Sequence, residues 1–216
     1  MEAEPRAGAE LRPPETLPYR NRPIHNGHAV EDARLHDQHS RGSIPRMDPL
    51  KLYDYLTKAR TRMFEWIRPL TPEQYGKEFP IGLGTLGRTL THIMICEWSY
   101  MERIRGNAVP PYEEWPIQDE TPPSFAVLER EWTAQATRTR ETLASIGDWE
   151  TPLEYPVTWG EERLIVTASR SDIFTQLAFH EVHHRAQAIN MLRQLGVTAE
   201  DIDFNALMYA RRPAPM

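Results

Sequence analysis

The sequence predicts an all-α protein, a four-helix bundle with a long crossover between helices two and three and a short hairpin or irregular insert before helix four. Three observations lead there. Apolar residues recur every three to four positions through four long stretches, the spacing of one helix face. Helix caps and breakers bound those stretches. Only one segment has strand-like composition, so a bundle is the way to bury four amphipathic faces.

The first helix opens at Asp48-Pro49, an N-cap followed by proline at the first helical position. Leu52, Leu56, Ala59, Met63 and Trp66 form its stripe, and it stops before Pro69 after about 21 residues. Thr71-Pro72-Glu73 starts a further turn or two, and Pro80 with the glycines of IGLG then breaks the chain. A second helix runs from near Thr85 to Arg105, with Leu86, Leu90, Ile93, Glu97, Tyr100 and Ile104 along one stripe, and Gly106 ends it. The crossover NAVPPYEEWPIQDETPP follows, Pro-rich and acidic. Its 17 residues reach on the order of 50 Å when extended, enough to run the length of a bundle and leave the flanking helices parallel. Helix three spans Ser124 to Ile146, with Leu128, Trp132, Ala136, Thr139, Leu143 and Ile146 inward. Residues 153–168, around Trp159-Gly160, carry the β-branched and aromatic residues of the insert. Helix four begins near Ser169, which pairs with Asp172 in a capping box, and runs to Gly196.

Residues 1–46 differ from the rest. They are rich in Pro, Arg, Glu and Ala without sustained periodicity, and read as a disordered tail that cannot bury enough surface to offset its ordering entropy. The folded domain is expected at 47–210, with 211–216 a short C-terminal tail. The first tail holds His25, His28, His36 and His39, but no helical register that would aim them at one ion. The net charge of −6 argues against general nucleic-acid binding. One cysteine, Cys96, excludes an internal disulfide and fits a reducing cytosol. No apolar run nears the roughly 20 residues of a membrane span, and the N-terminus lacks the apolar core of a secretory signal. A cytoplasmic protein without membrane or nucleic-acid partners is expected.

Helix four carries the chemistry. HEVHH, His180 to His184, matches H-E-x-x-H, in which a helix offers two zinc ligands and a general base. The helical period places Ile173, Leu177, His180, His184, Gln187 and Met191 inward. His180 and His184 differ by about 40° around the axis, so both imidazoles reach one ion, while His183 is turned about 60° the other way and is a poorer ligand. Desolvation penalises two histidines in an apolar seam unless something coordinates or pairs them. A zinc protease would need an acidic third ligand such as Glu200 or Asp203, and a sheet to line its peptide cleft, which the chain does not offer. Upstream, the one histidine inside the domain is His92 on helix two, beside the inward Ile93.

The supporting residues are open to two readings each. Cys96, one turn beyond His92, is a thiol near the metal or, as the favoured reading, a small buried hydrophobe. Glu181 is a partner or base of the site, or a solvated surface carboxylate. Glu97 is expected as a buried hydrogen-bond partner, and Arg185 and Gln187 as residues that orient the helix.

The residues Leu90, Thr91, His92, Ile93 and Glu97 on helix two, then H-E-x-H-H-R-x-Q from His180 to Gln187, and the terminal DIDFNALMY resemble the DinB/YfiT-like family from about Met47 to Tyr209. Ala186 departs from the glycine expected between Arg185 and Gln187. The resemblance implies a four-helix bundle, one divalent metal ion on His92, His180 and His184, and a homodimer. It also implies a low-molecular-weight thiol in the better-understood members. Zinc or nickel suits such a centre, and iron(II) is compatible. The leading expectation is a metal-dependent enzyme, a thiol-dependent S-transferase or a hydrolase, acting on a small-molecule electrophile. A non-catalytic, metal-stabilised stress-response binding protein is the alternative, and a zinc protease comes last.

Overall fold

Local sequence signals bound several of the helices. The computed structural model describes residues 47–159 and 162–214; the expectations for residues 1–46, their four histidines included, lie outside these. Helix α1 (Pro49–Ile67) starts on the Asp48 carboxylate, which accepts the Leu50 N–H at 2.9 Å. The short α2 (Pro72–Tyr75) has a reciprocal capping box between Thr71 and Gln74. Helix α3 (Leu86–Arg105) is capped by Thr85 and ended by Gly106 at φ 81°, a left-handed turn that glycine adopts without steric cost. The crossover contains one 3-10 turn, Tyr112–Glu114. Helix α4 covers Phe125–Ser145.

The insert is a regular antiparallel hairpin, β1 (Pro152–Trp159) with β2 (Glu162–Ser169), rather than an irregular loop. Helix α5 (Arg170–Gln194) follows directly, with the Ser169/Asp172 capping box in place. A last short helix, α6 (Phe204–Met208), was not foreseen from the sequence.

Thus the molecule is mostly helical, with one small sheet. Helix α1 packs against α4 and α5, and α3 packs against the same two. Helices α3 and α4 run parallel: Gln135 Nε2 donates to the Met94 carbonyl (2.9 Å), and further along both helices Arg105 Nε donates to Thr142 Oγ1 (2.9 Å). Helix α5 runs against α3, because Arg170 at its start donates to the Ile104 carbonyl (2.9 Å) near the end of α3. The crossover therefore does what its length allows and spans the helices from end to end.

The core forms two apolar clusters stacked along the helices. One gathers Met63, Leu90, Leu128, Trp132 and Met191; the other gathers Leu56, Ile104, Leu143, Ile173 and Leu177. Between them lies a buried polar layer of Arg60, Glu97, Thr139, Glu181 and Arg185. This layer changes the reading of α5. Its deepest face runs through Ile173, Leu177, Glu181, Arg185, Ala188 and Met191. His180, His184 and Gln187, expected in the seam, lie half-buried at its margin instead.

Candidate metal centre

The margin between α3 and α5 brings His92, His180 and His184 together. One donor nitrogen of each lies within 4.8 Å of the others. The ring centres are 5.0 Å apart for His92 and His180, 4.8 Å for His92 and His184, and 4.5 Å for His180 and His184. His92 Nε2 stands 3.1 Å from His180 Nε2. All three rings are half-buried, so the cluster is open to one side.

Each of two rings is held by its other nitrogen. His92 Nδ1 donates to Asp119 Oδ2 at 2.8 Å. Asp119 sits on the crossover, where its backbone N–H donates to the Tyr112 hydroxyl (3.0 Å) and that hydroxyl donates back to the carboxylate. His184 Nδ1 donates to Gln187 Oε1 at 2.9 Å, and Gln187 Nε2 in turn donates to His183 Nε2 at 3.0 Å. Gly82, at φ 53°, lies so close that a Cβ there would run into the Gln187 carboxamide. Both bonds leave Nε2 of His92 and His184 facing the cluster, the arrangement found around metal-ligating imidazoles.

Electrostatics divide the three. Burial, then the neighbouring His184 and His92, hold His180 down at about 3. Burial likewise brings His184 down to about 4 despite Gln187. Burial also works against a charge on His92, but Asp119 and Cys96 outweigh it and push that ring up to about 10. Asp119 is correspondingly brought down to about 2, its burial outweighed by the bonds from His92 and Tyr112. His180 and His184 thus present neutral lone pairs, and a divalent ion held by all three rings would displace the Nε2 proton of His92; three nitrogen donors would suit zinc, nickel or iron(II).

Several sequence readings are corrected by this geometry. Glu181 is no solvated carboxylate: it is 2% exposed and accepts from Arg60 Nη2 at 2.7 Å, on the core side of α5. Cys96 is no inert core hydrophobe, since its Sγ is 3.7 Å from His92 Nε2 and it is half-buried. Glu200 and Asp203 take no part in the cluster; Glu200 faces Arg62 at 3.6 Å. Glu97 is the buried hydrogen-bond partner expected, and His183 stays exposed. Ala186 is exposed, so the missing glycine touches no close packing. Asp119 was missed, and the acidic run of the crossover was its only sequence signal.

Residues 41–214 match the DinB family. The chain belongs to that family. A crystal structure of a DinB-like protein from Bacillus cereus superposes with a TM-score of 0.50 at 22% identity, covering 71% of this chain and 94% of that one. At that identity the likeness speaks for the DinB fold alone. No curated protein matches the chain. An apolar groove of about 480 Å³ beside α1 and α5, lined by Leu52, Phe174, Phe179 and Phe204, lies apart from the histidines. No helix among the described residues is long and apolar enough to cross a membrane.

Proposed function

We propose that this DinB-family chain holds one divalent metal ion on His92, His180 and His184, and that it is a metal-dependent enzyme acting on a small electrophile, as a thiol-dependent S-transferase or a hydrolase. The four long helices would then form the family's four-helix bundle. The observation that carries the reading is the convergence of three imidazoles from two helices at a half-buried, one-sided opening.

When bound there, a divalent ion on three neutral imidazoles would supply Lewis acidity, which lowers the pKa of a water or a thiol toward neutrality. The chain's own residues prepare for it. Asp119 keeps a proton on His92 Nδ1 and so keeps Nε2 as the donor, and Gln187 does the same for His184. The salt bridge to Arg60 removes Glu181 from proton transfer, which leaves a protease without its base.

Cys96 favours a second reading. The Cys96 sulfur, 3.7 Å from His92 Nε2, is near enough to approach the same ion, and a fourth protein donor would close the shell of a non-catalytic, metal-stabilised binding protein. Cobalt(II) substitution separates the two. A sulfur-to-cobalt charge-transfer band that disappears in Cys96→Ser supports the closed site, and its absence supports the open one.

The primary test is elemental analysis of purified protein. About one divalent ion per chain is expected, and His92→Ala should lose it. Retention of metal by His92→Ala would sink the three-histidine site. A screen of low-molecular-weight thiols against electrophilic substrates tests the reaction class. Family resemblance further suggests a homodimer, which light scattering after size exclusion would check.

A further inference from the structure

The polar layer between the two apolar clusters is organised around one side chain. Arg60, on α1, is 4% exposed, and its Nη2 donates at 2.7 Å both to Glu97 Oε2 on α3 and to Glu181 Oε2 on α5. Its guanidinium lies over the Trp132 ring of α4, 4.0 Å from the centroid. One cation therefore touches all three other long helices, and it joins the two that carry the histidines. Glu181 is the residue next to His180, and Glu97 lies five residues beyond His92. At a rise of about 1.5 Å per residue the clamp is within a turn or two of the cluster.

The two carboxylates are not equivalent. Glu97 also accepts from Tyr53 (2.7 Å), Trp132 (2.9 Å) and Thr139 (2.7 Å), so it keeps three donors when Arg60 is removed. Glu181 has less: Arg60 supplies its hydrogen bond, and Arg185 Nη1 stands 3.6 Å from its other oxygen. Loss of Arg60 would leave two buried carboxylates facing each other across the α3–α5 interface, a state that costs far more than a missing surface pair. Protonation of Glu181 would ease the repulsion but leave the group without its hydrogen bond, and a shift or turn of α5 would let it reach water instead. Such a shift carries His180 and His184 with it, away from His92.

We infer that Arg60 is a positioning residue, which sets the register of α5 on α3 and so brings His180 and His184 onto His92. The coupling presupposes the three-histidine metal site. A buried ionic layer need not stabilise the fold to do this; fixing one register among several is a role such groups are known to play.

The test compares metal affinity with stability. Arg60→Met removes the bridge at similar volume. Thr139→Val removes one Glu97 bond and leaves the bridge intact. Arg60→Lys returns a positive charge between the carboxylates on a slightly shorter side chain. Zinc affinity is measured by chelator competition at a temperature where circular dichroism shows every variant folded. Arg60→Met should bind at least tenfold more weakly, Arg60→Lys should recover part of that loss, and Thr139→Val should lose melting temperature but stay within about twofold in affinity. Equal affinity in Arg60→Met and wild type overturns the role, and so does an equal affinity loss in Thr139→Val. If Arg60→Met does not fold, Glu181→Gln reads the same link, with a smaller loss expected and an unchanged affinity overturning it. A wild-type chain that binds no ion overturns the metal site instead. In that case amide exchange of the metal-free protein decides: protection of residues 90–97 and 178–185 should fall in Arg60→Met and not in Thr139→Val.

Discussion

Removing the Asp119 carboxylate should weaken metal binding by one to two orders of magnitude while leaving the fold in place. Its Oδ2 accepts from His92 Nδ1 at 2.8 Å, and the side chain is 10% exposed, so solvent screens the charge-assisted bond little. Partners of metal-ligating histidines of this kind are worth roughly 10- to 100-fold in affinity, or about 1.4 to 2.7 kcal/mol. Asp119→Asn keeps an acceptor for the ring N–H and loses the charge, which places it near the tenfold end. Asp119→Ala frees the ring to turn and to choose its tautomer, which places it near the hundredfold end. Asp119 is buried and pairs with His92 and Tyr112 without any metal, so the thermal midpoint of the metal-free protein should fall as well, and affinity is compared at a temperature where every variant is folded. Chelator competition for zinc near neutral pH, with calorimetry of the metal-free variants, reads both quantities. Affinity within about twofold of wild type in Asp119→Ala would refute the idea that the crossover holds His92 in place.

Two other outcomes follow from the same geometry. Gly82→Ala should cost about 1–2 kcal/mol, because φ 53° is unfavourable for a residue with a Cβ and that Cβ meets the Gln187 carboxamide. Chemical denaturation measures the cost, and an unchanged midpoint counts against it. Acid stability should carry the signature of Glu97. Burial pushes its carboxyl up, yet Arg60 and the bonds from Trp132, Tyr53 and Thr139 outweigh that and hold it below the usual carboxylate range. A lowered folded value gives stability that is present above the ordinary glutamate value of about 4.3 and is lost as pH falls through the folded one. Glu181, raised chiefly by burial, works in the opposite sense. The difference between wild type and Glu97→Gln should therefore shrink as acid is added below that range, and a difference independent of pH would contradict the assignment.

Much of the helical layout was legible because its signals are local. Asp48 caps α1 through bonds to residues two and three positions on, Ser169 and Asp172 cap α5 across three residues, and Gly106 ends α3 by its own backbone freedom. On α3, Leu86, Leu90, Ile93, Glu97 and Ile104 of the predicted stripe are buried and Tyr100 is half-buried. On α5 the periodicity misled by one position. The predicted inward face left out Glu181 and Arg185, whose partners Arg60 and Tyr55 lie more than a hundred residues earlier in the chain. A hydrophobic pattern cannot register a buried charge whose compensation is supplied by another helix.

By itself, the sequence determined which residues could form helices, where those helices stop, and which histidines share a helical face. Caps, breakers and an i, i+4 spacing act within one turn, so no distant partner is needed to read them. Tertiary structure decided everything that depends on two segments meeting: His92 reaching His180, Asp119 of the crossover holding His92, Cys96 standing beside the cluster, and Glu181 turned from the motif's supposed base into the partner of Arg60. Those contacts span 27 to 121 residues of chain, or, for Cys96, depend on which face of its helix meets α5. Packing of the two apolar clusters around a charged layer sets them, and no local propensity encodes that arrangement.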